Sequence, residues 1–125
     1  MEDKYYRLEE LTEQLMRLAE EAYTTYLQIK SATVNETEPD FFNQVKPFAD
    51  DVQQLSEEWI QLATRWIEKE RPRHLHIAQV LNTYEQLNII SVKAFYKDTG
   101  AKKFVEQIKS VKFILSAMRE QLRII

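Results

Sequence analysis

Val45-Lys-Pro-Phe-Ala-Asp-Asp-Val-Gln-Gln-Leu-Ser-Glu-Glu-Trp-Ile-Gln-Leu-Ala-Thr-Arg-Trp66 is the stretch whose periodicity decides the fold. Val45, Phe48, Val52, Leu55, Trp59, Leu62 and Trp66 recur at alternating steps of three and four, the spacing of a helix that buries one stripe against neighbours in a bundle. The two tryptophans are seven apart on that stripe. Such a pair could serve as a stacking platform for a sugar or a base, but its phase with Val52, Leu55 and Leu62 favours a core role, because large aromatics anchor small bundles.

Three other segments repeat the pattern. Leu8, Leu11, Leu15, Leu18, Ala22 and Ile29, with Tyr26 or Thr25 filling the gap, predict a first helix over about 3–31. At about 1.5 Å per residue it is about 40 Å long and needs partners to cover its stripe. The polar run Thr33 to Pro39 then breaks the chain, and Asp40 is an N-cap candidate. From Asp40 the second helix is expected over about 40–71 with a kink at Pro47, where a mid-helix proline costs about 3 kcal/mol. Burial of Phe41, Phe42 and Val45 would offset that cost. The competing reading starts the helix at Pro47, whose fixed φ suits a first turn. After Arg71-Pro72-Arg73, a broader apolar face made by Ile77, Val80, Leu81, Tyr84, Leu87, Ile90, Ala94 and Phe95 predicts a third helix over about 74–97. Asn88 and Ser91 lie near that face and would need hydrogen-bond partners inside. Asp98-Thr99-Gly100 supplies a turn. Phe104, Ile108, Val111, Leu115, Met118 and Leu122 then define a fourth helix over about 100–123. Short connections force antiparallel neighbours, so the expected fold is all-α, an antiparallel up-down-up-down four-helix bundle.

Composition agrees with this architecture. A chain of 125 residues with 44% hydrophobic content suits one domain, expected over 1–125, and one Gly with three Pro leaves too little turn chemistry for an all-β fold. There is no cysteine, hence no disulfide framework and no thiolate metal site. The charged start Met1-Glu-Asp-Lys-Tyr-Tyr-Arg7 has no apolar signal core, and no later run approaches membrane-spanning length, so a cytoplasmic protein is expected.

The run Asp40-Phe-Phe-Asn-Gln-Val-Lys-Pro-Phe-Ala-Asp-Asp-Val52, with Trp59 and Arg71-Pro-Arg-His-Leu-His-Ile-Ala-Gln-Val80, resembles the YppE-like family of small uncharacterised proteins from Bacilli. The resemblance spans the whole chain. It implies a four-helix bundle in a bacterial cytoplasm, and it brings no assigned activity and no catalytic residues.

The residues argue against most chemistry. Metal-carboxylate bundles need an inward Glu three residues before an inward His; the residues three before His74 and His76 are Arg71 and Arg73, and the seams of helices 1, 2 and 4 hold no carboxylate. No metal and no other cofactor is expected. His74 and His76 point in different directions on a helix and read as polar residues at a bundle end. No Ser sits in a Gly-flanked elbow, and the only Gly falls in a turn, which removes phosphate-cradling loops. An enzyme is therefore not expected.

Charge is the remaining signal. Residues 1–58 carry 14 acidic and 5 basic side chains, and residues 59–125 carry 6 acidic and 12 basic. The simplest use of that division is internal, acidic helices orienting basic neighbours. A binding use would place a surface on Arg71, Arg73, His74 and His76 at one end, with Arg119 and Arg123 close by and little acid around them. Lys97, Lys102 and Lys103 would lie at the other end, near Glu36, Glu38 and Asp40. The expected function is a non-enzymatic module that binds a protein partner. The alternative is binding of nucleic acid or a phosphorylated ligand by the basic C-terminal half, which the overall negative charge disfavours. A monomer or weak homodimer is expected, with Ile60, Ile67 and Ile114 offered as a self-association patch.

Overall fold

A computed structural model describes residues 5–31 and 39–124. Among them are four long helices: α1 (Tyr6–Ser31), α2 (Lys46–Glu70), α3 (Ile77–Lys93) and α4 (Ala101–Ile124). No strand occurs among the described residues. The expected start of the first helix at Asp3 and the acidic linker residues Glu36 and Glu38 lie outside them.

The entry to α2 settles the question of Pro47. Asp40 is extended and caps the chain, its carboxylate accepting from the Asn43 backbone N–H. Phe41–Val45 then form one π-helical turn, in which Val45 N–H reaches back five residues to the Asp40 carbonyl and Lys46 N–H to Phe41. Pro47 follows in the first turn of α2. The wider turn carries the chain past the carbonyl of Asn43, with which the proline ring would clash in an α-helix, and Pro47 has no N–H to leave unmatched. The helical chain thus begins at Phe41, with a π turn leading into α2 at Lys46. Only Val45 of the expected trio is buried; Phe41 and Phe42 stand exposed, packed edge to face on each other.

The third helix is shorter than its apolar pattern. Arg71 and His74 hold left-handed backbone (φ 49° and 60°), and His76 is extended, so α3 begins only at Ile77. Gln79 reaches back to accept from the His76 N–H at 2.8 Å. At the far end the chain tightens into three-residue turns, Phe95 to Val92 and Tyr96 to Lys93, and Thr99 Oγ1 donates to the Lys93 carbonyl. That turn chemistry ends the helix before Lys97.

Contacts between elements follow one ring: α1 beside α2, α2 beside α3, α3 beside α4, and α4 back on α1. Within pairs the register runs in opposite senses. Tyr5 meets Glu70 while Thr12 meets Trp59; Phe48 meets Phe95 while Ser56 meets Asn88; Glu13 meets Arg123 while Tyr26 meets Phe104. An up-down-up-down order requires these pairings.

The core is the set of predicted stripes with a few polar members. Trp59 and Trp66 are fully buried, with Leu8, Leu11, Leu15 and Tyr26 of α1, and all six expected residues of α4. Tyr26 is buried entirely, its hydroxyl donating to the Thr99 carbonyl at 2.8 Å. Thr12 sits in the same core: it donates to the Leu8 carbonyl and accepts from Trp59 Nε1 at 3.2 Å. Ser56 and Asn88 join α2 to α3, and Ser91 donates to the Asn88 carbonyl. Leu81, expected on the buried face, is half exposed. Ile67 and Ile114 are buried and Ile60 packs against the core, so the expected self-association patch does not exist. No helix among the described residues is long and apolar enough to cross a membrane.

Candidate functional site

All seven residues singled out for an interaction surface are exposed, and they form two groups at opposite ends of α3, about 25 Å apart for its 17 residues. Arg71, Arg73, His74 and His76 occupy the connection between α2 and α3. Leu75 points inward there and is buried, which pins the segment to the core. Gln121 of α4 clamps it from outside: its amide oxygen accepts from the Arg73 N–H at 3.1 Å and its amide nitrogen donates to the Arg73 carbonyl at 2.7 Å. A β-carbon disfavours the left-handed conformation of Arg71 and His74 by about 1–2 kcal/mol each. Lys97 lies in the connection before α4, and Lys102 and Lys103 stand in its first turn.

Part of the charge division is used inside the molecule. Glu9 and Glu13 of α1 pair with Arg123, Glu13 also with Arg119, and Glu20 with Lys112, so acidic α1 lies along basic α4. Arg119 and Arg123 are therefore not cations with little acid around them, as expected, but partners of α1. Arg7 crosses to α2 and grips both carboxylate oxygens of Glu58 at 2.7 and 2.8 Å. That guanidinium holds the Glu58 carboxyl below the usual carboxylate range. Asn43 does the same for Asp40. Burial, with the Glu70 carboxylate at 2.6 Å, pushes the Tyr5 hydroxyl up to about 12. Exposed pairs of this kind contribute about 0–1 kcal/mol each, so their main effect is to choose neighbours and register.

Among the described residues, grooves open between α1 and α4 and between α2 and α3, and sequence reasoning found neither. One, of about 460 Å³, lies between α1 and α4; Tyr23, Val105, Ile108 and Phe113 give it apolar walls, and Lys109 and Lys112 line it as well. Phe113 is 70% exposed. The other, of about 520 Å³, lies between α2 and α3 and is more polar, with Gln53, Glu85 and Asn88 beside Tyr84, Ile89 and Val92. The signal for the first was present: Phe113 falls two positions before the seam residue Leu115, out of phase with Phe104, Ile108 and Val111. No group of three or more His, Asp or Glu placed to hold a metal ion occurs among the described residues.

Among the described residues these features define a four-helix bundle with charged ends and open interhelical grooves. The chain belongs to the bacterial domain of unknown function family DUF1798, whose model matches residues 12–122. It is similar to the uncharacterised protein YppE of Bacillus subtilis (strain 168), with 24% identity over 113 residues covering 90% of this chain and 89% of that protein. A crystal structure of YppE superposes with a TM-score of 0.85, covering 93% of this chain and 92% of the other. A crystal structure of a protein of unknown function from Listeria innocua gives a TM-score of 0.90 at 27% identity, covering 98% of this chain and 96% of that one.

Proposed function

We propose that this protein is a non-enzymatic interaction module of the bacterial cytoplasm, which uses a rigid bundle to present a surface to another protein. The observation that carries this reading is Phe113, a large aromatic 70% exposed beside an apolar groove and outside the buried seam of α4. Leaving such a side chain in water forgoes about 1.5–3 kcal/mol that its burial would return, and exposed apolar ground of this kind marks binding sites. The basic end at Arg71, Arg73, His74 and His76, and the exposed end that carries Lys97, Lys102 and Lys103, are the further surface of this module. Binding of nucleic acid or a phosphorylated ligand by the C-terminal half has less support, because Lys112, Arg119 and Arg123 are taken up by α1.

Site-specific photo-cross-linking in living cells tests the reading. A photoreactive phenylalanine analogue is placed in turn at positions 113, 89 and 73. Discrete, saturable adducts with one protein at any of these positions support an interaction module. Absence of an adduct at all three, from protein shown to be folded, refutes it.

A further inference from the structure

Along α4, the exposed positions after Ala101 up to Phe113 are Lys102, Lys103, Glu106, Lys109, Ser110 and Phe113, three cations to one carboxylate. Lys109 lines the groove and forms no ion pair among the described residues. Glu20 of α1 is paired with Lys112, and the nearest carboxylate to Lys109 along α4 is Glu106, three residues back, with which it forms no ion pair among the described residues. On the α1 side Tyr23 lines the groove, and Leu27, one turn further on the same face, is half exposed. The antiparallel register, set by Glu20 against Lys112 and Tyr26 against Phe104, carries Leu27 to the level of Val105. Leu27, Tyr23, Val105 and Phe113 thus make an apolar strip with a cationic margin.

The length fits a helix. From Val105 to Ser116 the groove follows eleven residue steps of α4, about 16 Å, or about three turns of a second helix lying along it. An amphipathic helix engages such a channel through side chains at three-four spacing. The α2–α3 groove offers no equivalent: its charged lining residue is Glu85, and its walls carry Gln53, Asn88 and Ser91 beside the hydroxyl of Tyr84.

We propose that the α1–α4 groove receives an acidic amphipathic helix of a partner protein, with apolar anchors on Phe113 and Tyr23 and carboxylates facing Lys109, an assignment that rests on the interaction role proposed above. The cation selects and steers the acidic ligand, and the aromatic supplies most of the retention. Nucleic acid fits less well, because the walls between the lysines are aliphatic and aromatic side chains of two helices rather than a continuous cationic track.

The test uses a displayed library of random 16-residue peptides panned on the full chain. Enriched peptides are expected to carry net negative charge and apolar residues at three-four spacing. Their affinity should fall about tenfold or more for Phe113→Ala. It should fall on the order of fivefold for Lys109→Glu, mainly in association rate. Both side chains are exposed, so the variants keep the fold, and Lys109→Glu should gain affinity for a peptide whose glutamates are replaced by lysine. Enrichment of basic or uncharged peptides, no enrichment, or unchanged binding by both variants overturns the proposal. So does an oligonucleotide, a 15-mer of deoxythymidine, that binds through the same residues, or a protein dimer that Phe113→Ala returns to monomer. Cross-linking at positions 73 or 89 but not at 113 removes this groove and leaves the interaction module standing.

Discussion

Trp59 and Trp66 carry the same side chain on the same stripe at the same burial, yet their indole nitrogens meet different surroundings. Trp59 Nε1 donates to Thr12, whereas Trp66 Nε1 finds no partner among the described residues. Replacing either by Phe removes comparable volume from a packed core, at about 1–3 kcal/mol for the space left behind. Trp59→Phe also loses a hydrogen bond, about 0.5–1.5 kcal/mol, whereas Trp66→Phe removes a buried unmatched donor whose burial costs about 1–3 kcal/mol. The expected order is therefore Trp59→Phe destabilised by about 1.5–4.5 kcal/mol and Trp66→Phe centred on no change, within about 2 kcal/mol either way. For a chain of this size a 2 kcal/mol gap corresponds to about 8 °C in Tm. Urea denaturation followed by far-UV circular dichroism measures both. Thr12→Val supplies the control: its cost should shrink by about 1 kcal/mol in the Trp59→Phe background, where the hydrogen bond is already gone. Equal or reversed costs for the two tryptophan variants, or strict additivity of Thr12→Val with Trp59→Phe, would refute the reasoning.

Three further outcomes are expected. Because Arg7 lowers the Glu58 pKa below its ordinary 4.5, the pair stabilises the fold above that pH and the contribution is lost as pH falls through the lower folded value; Arg7→Met should flatten the decline of Tm between pH 5.5 and 3 relative to the parent. His74→Gly should raise stability by about 0.5–1 kcal/mol, or about 3 °C in Tm, since glycine accepts φ 60° without a steric penalty. Pro47→Ala should change the urea midpoint by less than the equivalent of about 1 kcal/mol, because the π turn already accommodates the ring; a gain near 3 kcal/mol would show that the proline strains the helix.

The fold was legible because three of the four stripes have unbroken phase. The six seam residues of α4, from Phe104 to Leu122, are all buried, and no charged residue occupies a seam position. The third helix was the least legible: its face admits Leu81, which the structure exposes, and its ends depend on backbone at Arg71, His74 and Thr99 that side-chain periodicity does not report. Polar core members such as Thr12 and Ser56 also escape a reading of apolar spacing, since their burial becomes affordable only when Trp59 and Asn88 arrive from other helices. The grooves were hidden for a related reason. Tyr23 and Phe113 are 90 positions apart in the chain and become neighbours only through the α1–α4 register.

That register has a kinetic side. Arg123 and Glu13, which help join α4 to α1, are 110 positions apart, whereas the other helix pairs are hairpins closed across short connections or one linker. Closing the longest loop is the step of greatest entropic cost, and it waits until the last helix has been synthesised. Until then Leu15, Ala22 and Tyr26 lack their cover, and the Phe113 channel has only one wall. A ligand held in that channel would therefore report that the ring is shut, and by mass action it would slow its reopening.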